Sequence, residues 1–316
     1  MLSVLNVILP IFGFIVIGYA LARSPVLSQD SAKGLSQFVF FCAIPALLFR
    51  AGSRVFGTEA LSPDLLIAFY TGGIGLHLSL TLWLWRGRGR PLAEAALAGM
   101  TSVFTNTVML GLPLAFALFG DRGLLLASSV IAINGLLYYS LTTTLIELGS
   151  GKGGSAGRQV LSGLKGLTRN PILLSMAAGL AWGAIGWDIP GPLARMIDLL
   201  AAAAPPVALV ALGATMAQFR LSGDLVEAAW LTAIKLLVYP AVVGIIGHYA
   251  LGMDGETLAI AILLAALPCG VNPFLLASRY GIYMQRCGSA VLLTTVLGLF
   301  SLTFLIAMLA PDVLQP

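Results

Sequence analysis

Long apolar stretches, separated by short polar gaps, make up almost the whole of this 316-residue chain. A transmembrane helix needs about 20 mostly apolar residues, because it crosses about 30 Å of hydrocarbon at about 1.5 Å per residue. The segments that meet this requirement are 2–22, 33–50, 62–85, 93–119, 122–146, 170–187, 193–217, 225–251, 256–278 and 288–310. The pattern therefore predicts an all-α membrane protein with ten transmembrane helices.

Composition supports this class and excludes others. Apolar residues make up 59% of the chain and charged residues only 9%, whereas a soluble domain has about a quarter charged residues. The basic residues lie in the gaps between apolar segments and not on one face, so the net charge of +4 does not indicate a nucleic-acid partner. The three cysteines (Cys42, Cys269 and Cys287) lack metal-ligand spacing. We expect no metal, cofactor or disulfide framework.

The longest polar gap, 147–169, is rich in glycine and predicts a flexible linker between two halves. The domains are then a first five-helix unit (1–147), a linker (148–169) and a second five-helix unit (170–316). Twelve of the 17 Lys and Arg residues lie in the gaps after odd-numbered spans, and four lie in the other gaps. Because positive residues stay on the cytoplasmic side, we expect a cytoplasmic linker and two periplasmic termini, in a bacterial inner membrane.

The two halves also share a pattern of proline and glycine. A shift of 161 residues superimposes Pro10 on Pro171, Gly18 on Gly179, Pro45 on Pro206 and Gly120 on Gly281, and a shift of 160 superimposes Pro113 on Pro273. A repeat of five spans must enter the membrane from the opposite side in its second copy. This predicts an inverted repeat, which is typical of secondary transporters. The alternative is two proline-kinked bundles without functional symmetry.

The densest interruptions lie in spans 4 and 9, at 106–113 and 268–273. Proline removes a backbone donor and opens the helix, and such backbone is tolerated inside a membrane only where protein or water satisfies it. The half-helices that follow offer free N–H groups and partial positive charge to an anion. Asn106 and Asn272 add neutral amide donors. The pattern predicts an anion site at two broken helices, and the alternative is that both prolines only bend their helices.

The candidate substrate-binding residues come from spans 4, 5 and 9. They are Asn106, Thr107, Gly111, Pro113, Asn134, Tyr138, Pro268, Gly270, Asn272 and Pro273. For the aromatic residue of span 5, Tyr138, packing against neighbouring helices is the alternative.

Several separated motifs resemble one known family. They are Ile44-Pro-Ala-Leu-Leu-Phe49 in span 2, Asn106-Thr-Val-Met-Leu-Gly-Leu-Pro-Leu114 in span 4, Arg169-Asn-Pro171 before span 6, Lys235-Leu-Leu-Val-Tyr-Pro-Ala-Val242 in span 8, and Ala266-Leu-Pro-Cys-Gly-Val-Asn-Pro-Phe274 in span 9. In this order they resemble the auxin efflux carrier family, which includes plant PIN-type carriers and bacterial malonate or malate permeases. The short linker and Asn272, where PIN-type carriers have an apolar residue, differ from the plant members.

The resemblance implies two inverted five-helix repeats in which spans 4 and 9 cross as broken helices, as in bile-acid symporters and NhaA-like antiporters. It implies a transport domain beside a scaffold domain, elevator-type alternating access for an organic anion, and a homodimer through the scaffold. Asn106 matches the family asparagine that contacts the substrate carboxylate, and Pro113 and Pro273 match the prolines of the crossing.

Three ionisable residues in the apolar spans are candidates for a coupling or charge role: His77, Asp198 and Lys235. Asp198 and Lys235 differ in depth by roughly 16 Å at 1.5 Å per residue, too far for an ion pair. Lys235 either faces an aqueous path or substrate, or snorkels to the cytoplasmic side. For His77 the alternatives are proton transfer and a hydrogen bond to a neighbouring helix.

Taken together, the residues predict a transporter of small organic anions and not an enzyme. The substrates are carboxylates of the auxin-like or malonate/malate-like kind, and transport is secondary active or driven by the membrane potential. One alternative is a sodium-coupled organic-anion symporter of the bile-acid type, although no carboxylate lies near either interrupted segment. Another is a membrane sensor without transport. The expected partners are a small organic anion, the lipid bilayer and a second copy of the chain.

Overall fold

The computed structural model describes residues 2–54, 62–149, 169–253 and 255–309. Most of the predicted linker, 148–169, lies outside these residues. Within them the chain is almost entirely helical. The helices are α1 (Leu2–Arg23), α2 (Gln29–Arg54), α3 (Pro63–Gly87), α4 (Leu92–Thr101), α5 (107–119), α6 (121–149), α7 (Pro171–Ile185), α8 (Gly191–Met216), α9 (Leu225–Ala250), α10 (Gly255–Ala266), α11 (Asn272–Tyr280) and α12 (Met284–Leu309).

Six helical runs among the described residues are long and apolar enough to cross a membrane: α2, α3, the run Thr107–Gly149, α8, α9 and α12. This confirms an all-α membrane protein. The run Thr107–Gly149 contains Gly120, whose φ of 59° is not helical, so it comprises two helices, α5 and α6. The sequence predicts a boundary at this point, between 93–119 and 122–146. Helices α4, α7 and α10 are apolar but shorter than a span.

Three helices contain a widened, π-helical turn that ends two residues before a proline. These turns are Val39–Ala43 before Pro45, Thr107–Gly111 before Pro113 and Ile234–Val238 before Pro240. Proline lacks the N–H of the regular ladder, and its ring clashes with the carbonyl one turn back. A wider turn relieves that clash, and such turns are frequent at functional sites.

The helices pack in two groups. Helix α1 packs most extensively on α8, and α2 on α7, so these four helices form the first group. The second group contains α3, α4, α6 and α9–α12, together with α5, which also contacts α2. Gly213 of α8 allows the first group to pack closely, because a side chain there would collide with the Ile15 carbonyl. Small residues let membrane helices approach in this way.

Charged residues tie the second group together at its predicted cytoplasmic end. Glu227, at the start of α9, forms ion pairs with Arg90 (3.1 Å) and Arg286 (2.9 Å). The Tyr283 hydroxyl donates a hydrogen bond to the same carboxylate at 2.8 Å. Burial raises the pKa of the Tyr283 phenol well above its ordinary value, and the nearby Glu227 carboxylate raises this pKa further. The cluster joins the ends of α4, α9 and α12.

Candidate substrate-binding site

The two interrupted helices meet at their interruptions. Residues 102–106 separate α4 from α5, and residues 267–271 separate α10 from α11. The two segments run antiparallel, and two hydrogen bonds join them, from Asn106 N to Pro268 O (2.9 Å) and from Gly270 N to Phe104 O (3.1 Å). Each segment thereby satisfies part of the backbone that the other exposes, as non-helical backbone inside a membrane requires. We refer to this paired region as the crossing.

Gly270 allows the two segments to approach closely. A Cβ on Gly270 would lie 3.1 Å from the ring of Phe104 and 3.2 Å from the carbonyl oxygen of Thr105. Both distances are tighter than ordinary van der Waals contact. The neighbouring Cys269 N–H donates to the Thr294 hydroxyl of α12 at 3.0 Å, which fixes the second segment from behind.

A cavity of about 690 Å³ borders the crossing. Its walls come from α2 and the end of α8 in the first group and from the crossing, α5, α6 and α11 in the second. Gln29, Asp30, Lys33 and Gln218 lie at its mouth and are exposed. These residues belong to the ends of α2 and α8 that the charge pattern predicts to be cytoplasmic. The cavity therefore opens toward the predicted cytoplasmic side.

Half of the candidate substrate-binding residues line this cavity: Asn106, Thr107, Asn134, Gly270 and Asn272. The other half do not line it and are buried in the surrounding protein: Gly111, Pro113, Tyr138, Pro268 and Pro273. The prolines shape the backbone around the cavity without forming its surface.

Tyr138 lies one turn beyond Asn134 on the same side of α6, within the π-helical turn Gly135–Tyr139. Both residues lie against Tyr70: Asn134 Oδ1 is 3.3 Å from the Tyr70 hydroxyl, and the ring centroids of Tyr70 and Tyr138 are 6.1 Å apart. Asn134 faces the cavity, while the fully buried Tyr138 ring packs against Phe104, with 6.0 Å between ring centroids. Of the two interpretations of Tyr138, the structure agrees with packing against neighbouring helices.

Asn106 has a buried donor without a partner. Its side chain is 7% exposed and caps α5, because Oδ1 accepts a hydrogen bond from Met109 N at 3.4 Å. Its Nδ2 has no hydrogen-bond partner among the described residues. An unsatisfied buried donor costs about 1–3 kcal/mol. A ligand that accepts a hydrogen bond at this point would recover that free energy.

The other polar residues beside Asn106 form a chain of hydrogen bonds. Asn134 Nδ2 donates to Thr107 Oγ1 (3.5 Å), and the Thr107 hydroxyl is 2.6 Å from that of Thr105. On the far side, the Tyr70 hydroxyl donates mainly to the Val130 carbonyl, at 2.5 Å, and lies 3.3 Å from Asn134 Oδ1. This chain holds the amide of Asn134 and both hydroxyls in fixed orientations at the cavity wall.

Neutral groups and helix N-termini, and not a buried side-chain charge, face the described inner part of the cavity. The first turns of α5 and α11 border the cavity, and helix N-termini carry free N–H groups and partial positive charge. Among the described lining residues, the charged side chains are Asp30 and Lys33, both at the mouth. The rest of the lining combines neutral polar groups with apolar side chains, which are Phe40, Phe104, Val108, Met109, Ile131, Val271 and Leu275.

Lys235 differs from both of its predicted alternatives. It is fully buried, so it does not snorkel to the surface, and it does not line the cavity. Its Nζ donates a hydrogen bond of 2.6 Å to the carbonyl of Ala265, in the last turn of α10. The amine also lies 5.0 Å from the centroid of the Tyr239 ring. The interruption of α10 supplies the carbonyl that holds this lysine.

His77 and Asp198 lie away from the cavity. The His77 ring is fully buried and stacks on Tyr138, with 6.2 Å between centroids, and its nitrogens have no hydrogen-bond partner in the described part of the chain. The hydrogen bond expected for His77 is therefore not present. Asp198 forms ion pairs with Arg50 (3.6 Å) and Arg54 (3.5 Å) at the opposite end of the first group. The sequence predicts that Asp198 and Lys235 are too far apart for an ion pair, and the structure shows no ion pair between them.

The structure adds lining residues that the sequence did not indicate, including Lys33, Thr105 and Asn170. Asn170 begins α7, where its Oδ1 accepts a hydrogen bond from Ile172 N at 2.9 Å. It belongs to the Arg169-Asn-Pro171 motif, which is the one signal that singled it out. Because Asn170 lies far from Asn106 in the chain, the sequence alone did not indicate that both residues line one cavity.

The amino-acid sequence of the chain is similar to those of known membrane proteins. A model of the membrane transport protein family matches residues 3–306. The chain is 27% identical to a protein from Rhizobium meliloti (strain 1021) provisionally named a malonate transporter, over 97% of the chain and 96% of the relative. It is 26% identical to the uncharacterized transporter YfdV of Escherichia coli (strain K12), over 92% of each. It is 23% identical to auxin efflux carrier component 8 of Arabidopsis thaliana, over 94% of each.

Proposed function

Because the chain belongs to the membrane transport protein family, which includes the auxin efflux carriers, we propose that it carries small organic anions, above all carboxylates. The family match confirms the resemblance that the motifs indicated, and it makes the chain a multi-pass membrane transporter and not an enzyme. We place it in a bacterial inner membrane with periplasmic termini and a cytoplasmic segment 148–169, as the distribution of Lys and Arg predicts.

The observation that carries the proposal is Asn106, which lines the cavity beside the first turns of two helices and whose buried Nδ2 has no hydrogen-bond partner in the described part of the chain. A carboxylate oxygen accepts hydrogen bonds only, so it suits an amide donor and the N–H groups of α5 and α11. Neutral donors bind an anion without the cost of burying a countercharge in the membrane. In this proposal the carboxylate contacts Asn106, and Thr107, Asn134, Gly270 and Asn272 surround it.

The mechanism we propose is elevator-type alternating access. In it, the first helix group (α1, α2, α7 and α8) is the scaffold, and the second group, which contains the crossing, moves with the substrate. Support comes from the cavity, whose walls belong to both groups and whose mouth faces the predicted cytoplasm. On the opposite side α2 contacts α5, and the Arg50 guanidinium lies 5.7 Å from the Phe116 ring centroid. That contact would open when the site faces outward.

The ten spans and the two inverted repeats, 1–147 and 170–316, are part of the same proposal. The paired interruptions and the shared proline pattern support them. The scaffold homodimer that the resemblance implies stays a prediction, and light scattering of the purified protein in detergent tests it.

Uptake of radiolabelled acids into proteoliposomes tests the proposal. The panel contains hexanoate, phenylacetate, malonate and adipate, and a membrane potential, a pH gradient and a sodium gradient are imposed in turn. We expect flux of at least one acid, and the gradient that drives it identifies the coupling. Asn106→Ala should reduce substrate affinity by about 10- to 100-fold, the loss of one charge-assisted hydrogen bond.

The matched control is Thr303→Val, which removes a hydroxyl that bonds within α12, to Leu299 O, away from the cavity. It should transport like the unmodified protein. The proposal fails if no acid is transported under any gradient, or if Asn106→Ala transports with unchanged affinity.

A further inference from the structure

Three arginines alternate with glycines at the end of α3, at positions 86, 88 and 90. Arg90 forms ion pairs with Glu94 (3.5 Å) and Glu227 (3.1 Å). Arg86 and Arg88 are exposed, and no Asp or Glu within the described ranges forms an ion pair with either of them. Two positive charges therefore lie together on the surface without a carboxylate partner in the described part of the chain.

A reversal of the chain separates Arg90 from the other two arginines. Gly89 has a φ of 66°, in the left-handed region that glycine adopts without strain. The N–H of Arg90 donates to the carbonyl of Leu84, six residues earlier, at 3.0 Å, and this hydrogen bond closes the helix end. The reversal brings Arg90 to its two carboxylates and leaves Arg86 and Arg88 on the exposed surface.

Each of the two unpaired guanidinium groups lies against a tryptophan of the same turn. Arg86 Cζ is 4.8 Å from the ring centroid of Trp85, and Arg88 Cζ is 5.6 Å from that of Trp83. Stacking on an aromatic face orients the planar guanidinium group and keeps the N–H groups at its edge available. The Trp83 ring also packs edge-to-face on Trp230 of α9, with 6.1 Å between centroids. The aromatic contacts therefore hold two cationic groups ready for an anionic partner.

Along α3 the exposed side chains change from apolar to aromatic to cationic. Leu78 and Leu82 are exposed, the two tryptophans follow, and the two arginines end the helix. Tryptophan prefers the level of the lipid headgroups, and arginine at a helix end reaches the phosphates there. A phospholipid has the same order of groups, from acyl chains through the glycerol backbone to the phosphate. The surface therefore matches a lipid that lies along α3.

We propose that a phospholipid with a net negative charge binds the surface formed by Trp83, Trp85, Arg86 and Arg88. We call it the arginine–tryptophan surface. Guanidinium groups donate charge-assisted hydrogen bonds to phosphate oxygens, and these are among the strong hydrogen bonds of proteins. A zwitterionic lipid has the same phosphate but brings its own ammonium group near two unpaired arginines, so it binds less tightly. The surface lies outside the substrate cavity, so the inference does not depend on the proposed function.

Quenching of tryptophan fluorescence by brominated lipids tests this inference. Trp83, Trp85 and Trp230 lie at this end of the protein, and the other tryptophans of the chain, Trp182 and Trp187, are replaced by phenylalanine in the parent protein. The full chain is placed in phosphatidylcholine nanodiscs with increasing fractions of brominated phosphatidylglycerol or brominated phosphatidylcholine. The measured quantity is the affinity for each brominated lipid relative to the host lipid. Phosphatidylglycerol should bind roughly tenfold more tightly, because each arginine near the headgroups contributes up to about fivefold.

Two double variants separate this surface from the net charge of the protein. Arg86→Gln with Arg88→Gln removes both cations and keeps the tryptophans, and it should lower the preference for phosphatidylglycerol to about twofold or less. Arg220→Gln with Arg279→Gln is the matched control. It removes two other exposed arginines that have no ion pair or ring contact among the described residues, and it should keep the full preference. Melting temperatures show whether each variant is folded.

Three results would overturn the inference. Equal affinity of the parent protein for both lipids would show that the surface does not select a negative charge. An equal loss of preference in the two double variants would assign it to net charge and not to the arginine–tryptophan surface. Loss of the preference on adding inorganic phosphate, at constant ionic strength, would identify a site for free phosphate and not for a lipid. A preference that survives phosphate and the control variant, and that Arg86→Gln with Arg88→Gln removes, supports it.

Discussion

The two halves of the crossing have similar backbones and different chemistry. The first segment and the residues around it are rich in polar side chains, with Thr105, Asn106 and Thr107 in a row. The second segment contributes mainly backbone, because Gly270 has no side chain, and Lys235 donates a hydrogen bond to Ala265 O without lining the cavity. In our proposal one half offers hydrogen bonds to a ligand, and the other offers close backbone approach.

This difference shows what two similar interruptions leave open. The interruptions pair because inside a membrane each must satisfy its backbone. The side chains around them are free to differ. If a ligand binds at Asn106, as we propose, substitutions in the two halves should have different effects.

The largest effect should come from Gly270→Val, which breaks the contact between the two halves. The added side chain would press against the Phe104 ring and the Thr105 carbonyl, so we expect the pairing of the segments to be disturbed. We expect complete loss of substrate uptake and a lower melting temperature. Gly34→Val, in open space on α2, is the matched control and should retain uptake. Normal uptake by Gly270→Val would show that the close pairing is not needed.

Asn106→Asp should have the next largest effect, because it replaces the free amide donor of the first half with a carboxylate. Two carboxylates at hydrogen-bond distance repel each other, and the donor is lost as well. We expect the affinity for a transported acid to fall by about 100-fold or more, measured as competition with a radiolabelled acid. Neutral amide ligands should lose much less. Equal losses for acid and amide would argue against a carboxylate at Asn106.

The smallest effect should come from Asn272→Ala in the second half. This residue is half-buried at the cavity wall, and its backbone carbonyl, which the substitution keeps, accepts the hydrogen bond from the Tyr139 hydroxyl at 3.4 Å. The affinity for the transported acid should fall about threefold or less, the size of a weak, partly hydrated hydrogen bond. A loss as large as that of Asn106→Ala would mean that both halves bind the ligand directly, and the contrast between them would disappear.

The sequence predicts the features of this protein that depend on local residue patterns. Apolar segments predict the membrane class, and Pro268 predicts the end of α10 at Ala266, because proline acts on its own helix. The interruption predicted at 106–113 lies earlier, at 102–106, because the chain accommodates Pro113 inside α5 after a widened turn. The boundary at Gly120 is predicted for a similar local reason: glycine adopts the positive φ found there. Asn106 is found because an asparagine next to such an interruption is both a cap and a donor.

Features that depend on contacts between distant segments could not be predicted in this way. The partner of Lys235 is a backbone carbonyl of α10, and no residue pattern identifies a carbonyl. Lys33 and Asn170 reach the cavity only because α2 and α7 pack beside the crossing. Tyr138 was expected at the site, but its fully buried ring packs against Phe104 of the crossing. That contact joins segments far apart in the chain, and side-chain periodicity does not reveal it.

Protection of a cysteine in the cavity tests most directly whether the substrate binds at the crossing. Val271→Cys places a thiol on the cavity wall, in a protein whose half-buried Cys42 is changed to serine and whose other cysteines are buried. Val26→Cys, at a site 73% exposed on the predicted cytoplasmic side, is the control. We expect a transported acid to slow labelling at 271 by an impermeant reagent, with half-protection near the concentration of half-maximal uptake, and to leave labelling at 26 unchanged. Equal labelling of the 271 thiol with and without saturating acid would contradict a binding site at the crossing.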